Sequence, residues 1–418
     1  MTAEGPVKSQ DGNARFTSVH GPALHERRRT DRLTVDLVDD IETIRAEWNL
    51  LDDDALNSLH QGLDWCFIWA KTQNSPLHVI RGRQGDKTVF LLPLEIVREN
   101  GIRKACFPGG RFNNINTGLF DPSFIETSGA TAAVAIARES KRLLRGKADV
   151  LALQNVPLIW RGRPSALAHL ASVENQNPAF QLPLLGSMEE TIRQLNAKRR
   201  RKKFRIQIRR AEELGGYSHV IARTPDEKCQ LLQTFFRQKS MRFAAQGIPD
   251  VFRQQSVKDF FYDLASVESA GKDAALELHA IRLHGDNEGV IAAVAGLSRK
   301  QDHVICQFGS IDESVAKDLS PGELLFWLMI ERACEEKAAL FDFGVGDQLY
   351  KRSWCPLTTV QHDIFLPLTL KGRLAAAAFV AIARTKSAIK TNPTLYALIQ
   401  RLRARRWDGG GSAASSED

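Results

Sequence analysis

Residues 320–325 read Ser-Pro-Gly-Glu-Leu-Leu, and this stretch carries the strongest local signal in the chain. Ser320 is a residue type that caps helices, Pro321 suits the first helical position, and Glu323 completes a Ser-x-x-Glu capping box. The stretch therefore predicts a helix that begins at Pro321. Because the free amides and the dipole of a helix start attract anions, Gly322 is a candidate for close approach to a phosphate.

A second informative stretch is 341–351, which reads Phe-Asp-Phe-Gly-Val-Gly-Asp-Gln-Leu-Tyr-Lys. Its apolar start predicts a short buried strand, and its glycines predict a turn. The turn brings Asp347, Tyr350 and Lys351 to the exit of the strand. Together with the helix start, this arrangement predicts a cradle for a phosphate-bearing cofactor.

An internal repeat predicts that the chain has two related halves. Leu77–Arg81 reads Leu-His-Val-Ile-Arg, and Leu278–Arg282 reads Leu-His-Ala-Ile-Arg. Each copy is followed by a Gly-Asp pair, at Gly85 and at Gly285, and then by an apolar strand, which is the pattern of a β-hairpin. Aromatic-rich helical sequence precedes both copies, so duplication is favoured over chance similarity.

The remaining patterns have the same order in both halves: helices, a meander of strands, then helix, strand and strand. This order predicts a mixed α/β sheet in each half, with helices on both faces. We place the first domain at 33–185 and the second at 186–366. Residues 1–32 are expected to form a disordered leader, and 367–418 a basic helical extension with a flexible tail.

The net charge of +8 comes from two segments, Lys198–Arg210 and Leu366–Trp407, each with nine Lys or Arg residues and no acid. The first segment is a solvated helix face, a surface for a polyanion, or a specific nucleic-acid reader. No helix-turn-helix, zinc or RNA-binding signature accompanies it, so specific DNA binding is not expected. The second segment is a membrane-surface helix or a helix that caps the sheet, and we favour the cap.

The cysteines indicate the compartment. All six lie far apart, without a CxxC pair or metal-ligand spacing, so we expect free thiols, no metal and a cytoplasmic location. The apolar run Leu374–Ala383 is about half the length that a membrane-spanning helix needs. Contact with the inner face of a membrane would therefore be peripheral.

In these motifs the chain resembles the GNAT acetyltransferase superfamily in a duplicated form, and most closely the cellulose-biosynthesis acetyltransferases (CelD/BcsL-like). The resemblance rests on the basic helix Lys198–Phe204, the Ser-Pro-Gly helix start, and the Gly-Asp-x-x-Tyr-Lys element at 346–351 with Trp354. It covers about residues 35–365. One departure is the single glycine in Lys317–Gly322, where the superfamily usually has two.

The resemblance implies two tandem GNAT-like domains, the second with the active cleft. It implies an N- or O-acyltransferase that uses acetyl-CoA or another acyl-CoA and acts on a small-molecule or saccharide acceptor in exopolysaccharide or cell-envelope synthesis. The residues expected to bind the cofactor are Lys317, Ser320, Gly322 and Glu323. The residues expected to contact the substrate or a polyanion are Arg199, Arg200, Lys203 and Lys351.

Acyl transfer needs a base that takes a proton from the acceptor and an acid that returns one to the leaving thiolate. Asp347 fits the base and Tyr350 the acid. In the alternative interpretation Asp347 caps a helix, Tyr350 packs against Trp354, and Lys351 is solvated. Asp342 is either a hydrogen-bonded core acid or a third catalytic group.

Two other functions stay open. Aminoacyl transfer from tRNA, as in relatives of this duplicated group, would use the basic helix directly. A non-catalytic module with a decayed cleft, which binds a polyanion or a synthase partner, would account for the single glycine before the helix.

Overall fold

The repeated hairpin forms in both halves of the computed structural model, which describes residues 32–268, 273–314 and 319–391. In the first half His78–Gln84 pairs antiparallel with the strand that follows it, and Ala274–Leu283 does the same in the second. Both turns contain a left-handed glycine, Gly85 with φ 61° and Gly285 with φ 65°, a conformation that favours glycine. The predicted hairpins are confirmed.

The strands, in chain order, are β1 Leu33–Val38, β2 His78–Gln84, β3 Lys87–Glu99, β4 Ile102–Cys106, β5 Leu119–Phe120, β6 Val150–Pro157, β7 Ile159–Trp160, β8 Arg163–Pro164, β9 Ser172–Glu174, β10 Ala179–Pro183, β11 Tyr217–Ile221, β12 Ala274–Leu283, β13 Ile291–Lys300, β14 His303–Ile311, β15 Leu340–Val345, β16 Leu357–Thr359 and β17 Gln361–Pro367. The α-helices are α1 Arg45–Asp52, α2 Leu63–Gln73, α3 Pro122–Leu143, α4 Met188–Arg193, α5 Ala197–Glu213, α6 Pro225–Gln246, α7 Gln255–Ser266, α8 Pro321–Glu335, α9 Leu349–Trp354 and α10 Leu370–Thr391. None of the helices in the described ranges is long and apolar enough to cross a bilayer.

The two large sheets share one seven-strand arrangement, and β5 adds an eighth strand beside β3 in the first sheet. The first has the order β1-β2-β3-β4-β6-β17-β9, and the second has the order β11-β12-β13-β14-β15-β10-β16. In each sheet the fourth and fifth strands are parallel, whereas their neighbours are antiparallel. The predicted mixed α/β fold with two tandem halves is confirmed.

The halves exchange one strand each. β10 precedes the second half in the chain, and it pairs with β15 in the second sheet. β17 follows the second half, and it pairs with β6 in the first sheet. Boundaries at 185 and 366 assign both strands to the wrong sheet, because the hydrophobic pattern of a strand does not specify its partner. The exchange links the two halves through the backbone in both directions.

Side chains also join the halves. The Trp65 ring of α2 packs edge-on against Phe260 of α7, with 4.9 Å between centroids. Lys300 pairs with Asp52 at 2.7 Å across the same seam. Since buried aromatic surface dominates such contacts, the halves share one apolar core at α2 and α7.

The C-terminal helix packs on the first sheet. At Gly372 of α10, an added Cβ would lie 1.7 Å from the Asp149 carbonyl oxygen. Only glycine permits this approach, so it fixes the helix against the sheet. The predicted capping position is therefore present in the described part of the extension. The leader, Lys317 and the tail from 392 lie outside the described residues, apart from Arg32.

Candidate active site

The central feature of the second sheet is the separation of two parallel strands. β14 and β15 pair only at residues 303–305 with 340–342. β14 then continues to Ile311, while β15 continues to Val345 paired with β10 on its other side. The sheet therefore opens between the carboxyl ends of β14 and β15.

The helix α8 begins beside this opening, at Pro321 as predicted, but its capping differs from the expectation. Ser320 adopts a left-handed conformation with φ 55° and makes no side-chain cap. Its carbonyl instead accepts hydrogen bonds from the amides of Glu323 and Leu324, at 3.0 and 3.3 Å. The predicted capping box is wrong, because the Glu323 carboxylate is drawn to cations on another helix.

Those cations belong to the basic helix α5. Arg200 donates to the Glu323 carboxylate at 2.9 Å and to the Ser353 hydroxyl at 2.8 Å, and Lys203 lies 3.3 Å from the same carboxylate. Arg200 is buried, and burial lowers its pKa. Arg200 therefore connects α5 to α8 and α9 inside the protein, and it is not the exposed polyanion contact that the sequence indicated. One acid and two cations leave a net positive charge at the start of α8.

The exposed face of α5 is on the side of the helix that points away from Glu323. Arg199, the remaining predicted polyanion contact on this helix, is exposed. Four further cations share one side of the helix at i, i+4, i+7 and i+11, and these are Lys198, Lys202, Arg205 and Arg209. Arg209 also pairs with Glu213 at 3.5 Å. The basic segment thus has a structural side and a solvated cationic side.

Tyr350 lies on the same edge as the start of α8. Its ring stacks on Phe326 of α8 with 5.4 Å between centroids, and it contacts Phe343 of β15 at 6.2 Å. Burial raises the pKa of the phenol well above its ordinary value. The phenol is 37% exposed and protonated at neutral pH, and its raised pKa makes it a weaker proton donor than an ordinary tyrosine.

Asp347 follows the strand, as the sequence predicts, but its carboxylate is already engaged. Arg352, one turn further along the chain, donates to Asp347 Oδ2 at 2.6 Å. A bidentate pair of this kind orients a carboxylate strongly. Asp347 therefore lies in an ordered position at the mouth of the opening.

Lys351 and Asp342 are both buried. The Lys351 ammonium donates to the carbonyls of Gly344 and Val345 at 3.2 and 2.8 Å, and burial lowers its pKa. Asp342 accepts from the Gly344 amide at 2.6 Å and from Gln181 at 3.1 Å. Lys351 is thus neither solvated nor an exposed contact for a substrate, and Asp342 has the hydrogen bonds of a satisfied core acid.

The sequence analysis did not identify a further cation beside the opening. Lys239 of α6 lies near Arg242 and Cys306, and burial together with the Arg242 charge lowers its pKa to about 8. Burial also raises the pKa of the Cys306 thiol on β14 to about 12, so that thiol is neutral. No sequence pattern around Lys239 separates it from a surface lysine, so only the packing distinguishes it.

The cysteines and the acidic residues give no metal site within the described residues. All six cysteines are free thiols, as predicted.

Comparisons with known proteins agree with this geometry. Residues 198–352 match the family model described as an acetyltransferase (GNAT) domain. This segment contains α5, the separated strands, the start of α8 and Tyr350. No curated protein sequence matches the chain.

Several solved structures are similar to the chain. A crystal structure of FemX covers 78% of this chain and 96% of its own, with a TM-score of 0.56 and 12% identity. The structure of L-PGS from Bacillus licheniformis covers 82% and 97%, with a TM-score of 0.48 and 12% identity. A tandem GNAT protein from the clavulanic acid biosynthesis pathway covers 80% and 99%, with a TM-score of 0.44 and 14% identity. The likeness to FemX extends over both halves and concerns the fold.

The match over residues 198–352 indicates that the second half contains an acyltransferase domain of the GNAT type.

Proposed function

We propose that this protein transfers an acyl group from an acyl-CoA, with acetyl-CoA as the donor, to an amine or hydroxyl of its acceptor. The observation that carries the proposal is the separation of β14 and β15 beside the start of α8. We place the thioester between the separated strands, and the Glu323 cluster has one more cation than anion, which favours a diphosphate.

In the proposed reaction the acceptor nitrogen or oxygen attacks the thioester carbonyl, and the C–S bond breaks. Asp347 takes the proton that the acceptor loses, and Tyr350 gives a proton to the leaving thiolate. The support for Tyr350 as the acid is its position, because its ring stacks on Phe326 of α8 beside the opening. The ion pair with Arg352 holds Asp347 in one orientation.

The resemblance to cellulose-biosynthesis acetyltransferases supports an acceptor in exopolysaccharide or cell-envelope synthesis. Incubating the purified protein with acetyl-CoA and a panel of amino sugars, oligosaccharides and small amines, with free thiol as the readout, tests this part. Release of CoA with the small amines but with none of the saccharides would contradict it.

Calorimetry with acetyl-CoA tests the donor. Gly322→Glu adds a negative charge at the helix start, and its Cβ would lie 3.0 Å from Ile311, so binding should fall at least tenfold. Ala137→Glu, at an exposed site on α3, adds the same charge far from the cleft and should bind normally. If the unaltered protein shows neither heat nor a thermal shift with acetyl-CoA, the proposed donor is wrong.

The cationic side of α5 favours a second candidate, aminoacyl transfer from tRNA. Neutralising phosphates would make tRNA binding fall steeply with salt. The double variant Lys202→Gln/Arg205→Gln should then make the plot of log affinity against log salt less steep. The change in slope should correspond to the loss of about two phosphate contacts. An unchanged slope, or no binding at low salt, removes this candidate.

A further inference from the structure

The helix α10 has a second apolar face that the fold does not use. Its inner face, with Gly372, Ala375 and Ala376, packs on the first sheet. Phe379 adds a ring contact with Phe365 of β17 at 5.3 Å. The core contact of the helix is therefore complete without its outward side.

The outward side presents large apolar residues to solvent. Leu370 is 78% exposed and Leu374 is 77% exposed, one turn apart on the same stripe. Ala377 and Ala381 continue the stripe along the helix and are also exposed. Ile382 is 50% exposed at the margin of the stripe. Because Leu370 and Leu374 are neighbours on one side of the helix, they form a contiguous apolar patch, the kind of surface that marks an interaction site.

Basic residues flank this stripe on both sides. At about 100° per residue, Arg373 and Arg384 lie along one edge of the stripe, and Lys371 lies along the other. All three are exposed. Lys371 also donates to the Gly101 carbonyl at 2.6 Å. Residues 370–391 contain no Asp or Glu, so nothing acidic on the helix offsets these charges.

We propose that the outward face of α10 docks on an anionic lipid bilayer. An apolar stripe with cations along both edges suits the headgroup boundary, where leucines enter the acyl region and Lys or Arg reach the phosphates. The charge complementarity favours lipid headgroups over an apolar protein groove, because such a groove would leave the three flanking cations without anionic partners. This inference does not depend on the acyl donor or on the acceptor.

Vesicle sedimentation with the full chain tests the docking. The protein should bind vesicles of equal parts phosphatidylglycerol and phosphatidylcholine, bind pure phosphatidylcholine at least tenfold more weakly, and dissociate as salt increases. The double variant Leu370→Asp/Leu374→Asp should lose at least tenfold in partition. Arg373→Gln/Arg384→Gln should also weaken binding to anionic vesicles.

Val134→Asp is the matched control, because Val134 is 67% exposed on the helix α3. It should bind as the unaltered protein does, and near-ultraviolet circular dichroism should show that every variant is folded. If the leucine variant binds the vesicles as well as the unaltered protein does, the proposal is wrong. The affinity would then come from basic residues outside α10. A self-associating chain that the leucine variant converts to monomers, with no vesicle binding, would also overturn it.

Discussion

The guanidinium of Arg200 lies 3.8 Å from the centroid of the Trp354 ring. This contact joins the basic helix α5 to the short helix α9, and the same guanidinium reaches Glu323 at the start of α8. Three elements around the proposed cleft therefore depend on one side chain. Because the Arg200 side chain is buried, stacked and ion-paired, its removal should lower the free energy of unfolding substantially.

We expect Arg200→Met to destabilise the protein by about 2–4 kcal/mol, since it removes a cation–π contact and leaves Glu323 with Lys203 alone. Urea unfolding followed by circular dichroism measures the change. Arg199→Met, at the exposed neighbour, should change the free energy of unfolding by less than about 0.5 kcal/mol. Equal effects of the two variants would mean that the basic helix is held by its apolar side alone.

Local signals in the sequence were sufficient for much of this fold. The two hairpins could be predicted because Gly85 and Gly285 sit between apolar runs of strand length, a pattern that needs no distant partner. The start of α8 at Pro321 was predictable for the same reason. Free cysteines followed from their spacing.

Features that depend on distant partners could not be predicted. The capping box failed because Arg200, more than a hundred residues away, competes for the Glu323 carboxylate. Lys351 looked like a surface cation, but two carbonyls beside β15 accept its hydrogen bonds. The exchange of β10 and β17 depends on which of two similar sheets each strand joins, and a local sequence pattern does not identify that distant partner.

A glycine and an aromatic ring face each other across β13 and β14. At Gly296, an added Cβ would lie 2.4 Å from the Phe308 ring, which itself stacks on Phe235 at 4.0 Å. Gly296→Ala should therefore displace the ring and cost about 1–3 kcal/mol. Gly309→Ala, where the nearest atom is 3.5 Å away, should be neutral or slightly stabilising in the same denaturation assay. A neutral Gly296→Ala would show that the ring can move freely.

The proposed acid predicts a kinetic signature. Tyr350→Phe should lower kcat by about 100-fold or more while the affinity for acetyl-CoA stays the same, because the ring and its stacking on Phe326 are retained. Steady-state rates and calorimetry on the same preparation measure both quantities. Asp347→Asn should lower kcat in the same way. It should also remove the fall in rate at low pH that protonation of a catalytic base produces. If both variants turn over normally, neither residue is the acid or the base.

Lys239 predicts a dependence of stability on pH. Its pKa is about 8 in the folded protein and 10.5 ordinarily, so below about pH 8 the folded state carries a poorly solvated charge. Between about 8 and 10.5 the unfolded chain binds the proton and the folded protein does not, so this group makes stability rise with pH.

Lys239→Met removes the charge at similar volume. The variant should have the higher Tm at about pH 7, and its advantage should shrink as the pH approaches 10. Lys202→Met, at an exposed site on α5, controls for the loss of one positive charge and should show no such trend. An advantage for Lys239→Met that stays constant with pH would mean that this lysine is fully solvated in the folded protein.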